Sequence, residues 1–230
     1  MGAALGWGLL AASSLVLGAL LAIARSWPQR LVGLVLAFGA GALISAVSFE
    51  LAQEGVRVGD RGSTAAGLAI GALVYYFLDG RVERASGSAG TPLALGAFLD
   101  GIPEQLVLGI GLAVGEGVSV ALLVAIFVSN LPEAIGSASE MRTGGRDDRT
   151  ILRLWFVVAT VCALATVVGY ALADAVSDSL QGAIDGFAAG ALLVMLVDSM
   201  IPDARRDAGR RAGLATVLGF ALAAGLSFTS

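Results

Sequence analysis

Three carboxylates, Asp100 and Glu104 in "LDGIPEQ" and Glu133 in "SNLPEAI", lie inside long apolar runs. An acid at the centre of a membrane-crossing segment costs about 2.5–3.5 kcal/mol on insertion scales. No basic residue stands beside these acids in their runs to offset that cost. They must therefore hold their protons, which burial favours, or bind a cation. The spacing favours the cation. Asp100 and Glu104 share one helical face, and Ser129 and Glu133 repeat the same interval in the next run. Pro103 and Pro132 each remove a backbone hydrogen bond and release the carbonyl four residues earlier, at Leu99 and Val128. Two acids from one helix, with an acid, Ser129 and Asn130 from the next, make an oxygen cluster suited to a divalent cation.

The elements that must position these residues follow from composition. The chain has 230 residues, 57% hydrophobic and 14% charged, against about 25% charged in a soluble domain. Its mean hydropathy is +0.87. Nearly all of it divides into apolar runs of roughly 20 residues, the length that crosses a hydrocarbon core. Eight are read, at about 5–24, 31–52, 64–78, 91–114, 118–141, 151–173, 182–201 and 212–228. Continuous runs exclude the alternation of a transmembrane barrel. This predicts an all-α membrane protein, residues 1–230 forming one polytopic domain in the lipid bilayer. The first run lacks a basic leader and reads as a retained span.

Arginine sets the orientation. With eight crossings, one set of loops carries Arg25, Arg30, Arg81, Arg84, Arg142, Arg146, Arg149, Arg153, Arg205, Arg206, Arg210 and Arg211, and the other carries Arg57 and Arg61. Such a bias puts the first set in the cytoplasm and both termini outside. Trp7, Trp27 and Trp155 fall near span ends, as interface anchors should. Counted from their shared outer end, Glu104 lies roughly 16 Å deep and Glu133 roughly 22 Å, both near mid-membrane. Paired Pro-interrupted spans of opposite direction point to a transport site.

Other features are quieter. Glu50 and Glu54 near the outer end of the second span, and Asp198 and Asp203 near the inner end of the seventh, are candidate stations where an ion enters or leaves. Gly67, Gly71, Gly182, Gly186 and Gly190 have the spacing of close helix packing. Cys162, the single cysteine, reads as a small core residue.

These motifs together resemble the ZIP (Zrt/Irt-like) family of divalent metal transporters. "DGIPEQ" and "SNLPEA" occupy the places of that family's paired Pro-Glu motifs in spans four and five. "GALISAVSFELAQEG" looks like its span two, and "GFAAGALLVMLVDSMIPDARR" like its span seven. The resemblance implies eight spans with external termini, a homodimer, and alternating access in which a four-helix core around spans four and five moves against the rest. It implies that Asp100 stands at a histidine ligand position and that Glu104 and Glu133 are metal-binding glutamates. Ser129 and Asn130 stand at further polar ligand positions. The chain departs from the pattern in having no histidine at all. Carboxylate in place of imidazole hardens a site and shifts it from zinc towards manganese, iron(II) or magnesium.

The expected function is transport of a divalent metal ion towards the cytoplasm, with zinc, iron, manganese and cadmium as candidate ions. Nucleic-acid binding, a catalytic cofactor and enzyme activity are not expected, and the expected location is a prokaryotic plasma (inner) membrane. Two other readings remain open at this point. One is a metal sensor on the same fold without flux; the other is a proton- or sodium-driven carrier of another solute.

Overall fold

The computed structural model describes residues 1–85, 91–113 and 120–228, with side chains for all of these except 82–100, 121 and 140. The described residues form eight long helices in chain order. They are α1 (Gly2–Ala24), α2 (Gln29–Val58), α3 (Arg61–Ala85), α4 (Thr91–Ala113), α5 (Val120–Thr143), α6 (Asp148–Ala175), α7 (Asp178–Ala208) and α8 (Arg211–Ser227). Each contains one of the predicted runs, apart from the ends at 114, 118 and 119, which lie outside the described residues, and Phe228, which caps α8. Among the described residues, α1, α2, α6, α7 and the Leu122–Thr143 part of α5 are long and apolar enough to cross a membrane.

Three of the helix starts are set by side chains. Asp60 accepts the N–H groups of Gly62 and Ser63 ahead of α3, and the Ser63 bonds hold its carboxyl below the usual range. Asp147 caps α6 by accepting the Thr150 hydroxyl at 2.6 Å and its N–H at 3.1 Å, with the same consequence. Ser177 accepts the Leu180 N–H ahead of α7. Gly209 takes a positive φ of 61°, which turns the chain from α7 into α8.

Packing follows a rule that the residues alone did not disclose. The neighbouring pairs include α3 with α7, α2 with α8, α1 with α5 and α4 with α6, and also α2 with α5 and α4 with α7. Exchanging α1 with α6, α2 with α7, α3 with α8 and α4 with α5 maps this set of neighbours onto itself. The exchange always pairs an odd helix with an even one. Contacts between like-numbered helices run parallel: Gly18 meets Leu131 and Ala134 while Ile23 accepts from Arg142, and Gly67 meets Ala183 while Gly71 meets Phe187. The chain is thus an inverted repeat, and the Pro-Glu echo of α4 and α5 is its centre. The repeat extends to local winding. Both α2 and α7 change to π-helical turns near their ends, at Val47–Gln53 and Leu196–Met200, a feature frequent at functional sites.

Glycines bring the repeat-related pairs into contact. A Cβ on Gly41 would sit 1.9 Å from the Thr216 carbonyl oxygen of α8, and one on Gly186 2.2 Å from the Thr64 oxygen of α3. The glycine spacing therefore serves backbone-to-backbone packing, as read from the sequence. Gly41→Ala is expected to force α2 and α8 apart and destabilise the fold by about 1–3 kcal/mol. The check is a thermal melt in detergent against wild type.

One aromatic assignment is corrected. Trp155 is no interface anchor but is fully buried in the apolar cluster that joins α1, α5 and α6. Trp27 behaves as expected of a boundary residue, with Arg25 over its ring and its Nε1–H donated to the Leu21 carbonyl.

Candidate functional site

Pro103 and Pro132 lie inside α4 and α5, and both helices continue through them. The expected interruption is therefore a local loss of hydrogen bonding and not a break. The Val128 carbonyl that Pro132 deprives of its donor faces Gly39 of α2, where a Cβ would lie 3.0 Å away. That close approach also brings α2 against the backbone of Ser129 and the end of the Met200 side chain.

Glu104 is buried, and among the described residues neither of its carboxylate oxygens has a hydrogen-bond partner. Asn130 is buried too, with its Nδ2 in the same condition. Ser129 is buried and donates its hydroxyl proton to the Ile126 carbonyl at 3.0 Å, which leaves its oxygen lone pairs free to accept. Glu133 is partly exposed because it opens onto a cavity. It lies within electrostatic reach of Glu104 on one side and of Asp203 on the other. Asp100 lies one helical turn before Glu104 on α4, and its side chain is outside the described ones. Among the described residues, no group of three acids or thiols stands close enough to hold a metal ion.

The cavity has a volume of about 500 Å³ and runs between α2, α5 and α7. Glu133 and Pro132 lie in its wall together with Ser199, Asp203, Arg206 and Asp207. A buried acid, an acid at the cavity wall and further acids at the C-terminal end of α7 thus form a series leading out of the protein. Neither Arg206 nor Asp207 was singled out in the sequence, where they look like ordinary charges at a span end.

The remaining predicted stations separate. Glu54 is held by Arg57 through a two-point ion pair, with one bond of 2.7 Å from Nε. Glu50 accepts the hydroxyl of Ser227 from the end of α8. Asp198, in the π-helical turns of α7, is exposed and is not among the residues that line the cavity.

Gln105, directly after the Pro-Glu pair, is also fully buried, and its Oε1 accepts the Thr166 hydroxyl of α6. Gly8 of α1 packs on the same threonine. This polar contact ties α4 to α6 and α1. An amide beside an acid in an apolar run was the available signal for it.

Long apolar helices packed as an inverted repeat, with the unpaired acid Glu104 held inside, define an all-helical membrane protein with buried polar groups. The model of the ZIP zinc transporter family matches residues 81–227, more than half of the chain, and the chain belongs to that family. It is also similar to an Arabidopsis thaliana protein named "putative zinc transporter", 27% identical over 190 residues. That match covers 76% of this chain and 30% of the plant protein's length.

Proposed function

We propose that this chain carries divalent metal ions across the membrane towards the cytoplasm, through a carboxylate site between α4 and α5. All eight helices cross the bilayer in this reading, with both termini outside. Glu104 and Glu133 are the central ligands, Asp100 completes them from one turn earlier on α4, and Ser129 and Asn130 add neutral oxygens. The ion then leaves through the cavity past Asp203. Glu50 and the Arg57-paired Glu54 mark the opposite end, where the ion enters.

The observation that carries the reading is Glu104, a buried carboxylate whose two oxygens have no donor among the described residues. A carboxylate so placed is costly unless a cation or a proton neutralises it. Its link to a wide cavity through Glu133 favours an ion that moves. Alternating access then has α1, α4, α5 and α6 shift against α2, α3, α7 and α8. The interface between these groups includes the α2–α5 and α4–α7 contacts, which the repeat makes equivalent. With no histidine, the site favours manganese and iron(II) alongside zinc.

The test is uptake of manganese, iron(II), zinc and cadmium into proteoliposomes that contain the purified protein. Metal-dependent accumulation above protein-free vesicles is the expected result. A protein that binds these ions at equilibrium yet moves none of them would instead be a sensor.

A further inference from the structure

Arg206 holds a place that the transport reading does not explain. Its Nη1 donates to Asp203 Oδ1 at 2.8 Å and its Nε to Asp207 Oδ1 at 3.1 Å, so one guanidinium bridges two of the three acids in the cavity wall. The two acids lie four residues apart on one face of α7. Without the arginine they would present converging oxygens to the cavity, the donor set that divalent cations prefer. The Arg206 side chain is 66% exposed, whereas those of Asp203 and Asp207 are 29% and 17% exposed. An ion pair that open to water adds little to folding stability.

We propose that Arg206 is a tethered counter-cation. It neutralises Asp203 and Asp207 so that a metal ion leaving Glu133 passes the cavity mouth without being trapped there. This inference rests on the transport reading above. The inverted repeat supplies independent support. At the corresponding end of α2, after its own π-helical turns, Arg57 pairs with Glu54 at the same three-residue interval that separates Arg206 from Asp203. Helices α2 and α7 exchange under the repeat, so each carries near its C-terminal end an acid paired with the arginine three residues on.

The argument fixes the direction of the effects. Removing the guanidinium exposes a two-carboxylate trap, so metal binds more tightly at the mouth and leaves more slowly. Replacing it by lysine keeps the charge and most of the masking. Removing Asp203 as well dismantles the trap.

The experiment compares wild type with Arg206→Gln, Arg206→Lys and the double variant Asp203→Asn/Arg206→Gln. It reads manganese bound per chain at equilibrium in detergent and maximal manganese uptake in proteoliposomes. Arg206→Gln is expected to bind about one more ion per chain and to turn over about tenfold more slowly, because tighter binding is expressed mainly as slower release. Arg206→Lys should stay close to wild type, and the double variant should lose the extra ion and recover rate. Wild-type binding and uptake in Arg206→Gln would overturn the proposal. So would slow uptake without extra bound metal, or slow uptake that the second substitution does not reverse, since either marks a structural role. If wild type itself shows no uptake, the transport reading falls, and the count of bound metal still decides whether Arg206 masks a metal site.

Discussion

Glu104→Gln is expected to cut metal uptake about 10- to 100-fold, a range that even the outer partners of metal ligands reach, while leaving the protein folded. The substitution keeps the shape of the side chain and removes its charge. Among the described residues, nothing donates to the Glu104 carboxylate, so no donor loses its partner when the charge goes. An unpaired buried carboxylate is itself a burden. The variant should therefore melt no lower than wild type in metal-free detergent. This combination, stable yet inactive, separates a ligand from a packing residue. Glu133→Gln should act similarly on uptake. The double variant should fall short of the product of the single effects, because both residues serve one ion. Uptake close to wild type in both single variants would remove these glutamates from the site.

The parts of this molecule that could be read from residues are those governed by local chemistry. Run length and hydropathy picked out the eight long helices among the described residues, five of which are long and apolar enough to cross a membrane. Glu104, Glu133, Asn130 and Ser129 stood out because polar groups in such runs are costly. Glu104, Asn130 and Ser129 are buried, and Glu133 lies in the cavity wall.

What stayed hidden depends on contacts between distant segments. The burial of Trp155 is set by α1 and α5 packing over α6, whereas its sequence position only says that it is near a span end. The inverted repeat is carried by which helices touch, and few side chains echo it beyond the two Pro-Glu pairs and the Glu54–Arg57 and Asp203–Arg206 pairs. The π-helical turns of α2 and α7 depend on packing as well. Arg206 escaped notice for a related reason: an arginine at a span end is ordinary, and only the cavity beside it makes it informative.

Asp100→His is expected to raise selectivity for zinc over manganese about tenfold, since imidazole suits zinc whereas carboxylate suits manganese. The reasoning uses only register. Position 100 lies one turn before Glu104 on α4, the interval that puts two positions on one helical face. The chain has no other histidine, which makes the substituted protein unusually readable. A histidine binds metal only when neutral, and its ordinary pKa is about 6.5. Zinc uptake by the variant should therefore fall as the pH drops from about 7 to 6. The wild type has no imidazole to protonate, so the loss of zinc uptake that the variant shows over this interval and the wild type does not is the signature of a histidine at the ion. Both readouts depend on contact between position 100 and the ion. Unchanged selectivity together with an unchanged pH profile would place Asp100 outside the coordination sphere. The central site would then rest on Glu104 and Glu133 with the neutral oxygens of α5. A variant that gains zinc preference and its new pH dependence together would show that one residue, a carboxylate where relatives are expected to use imidazole, decides which metal this protein accepts.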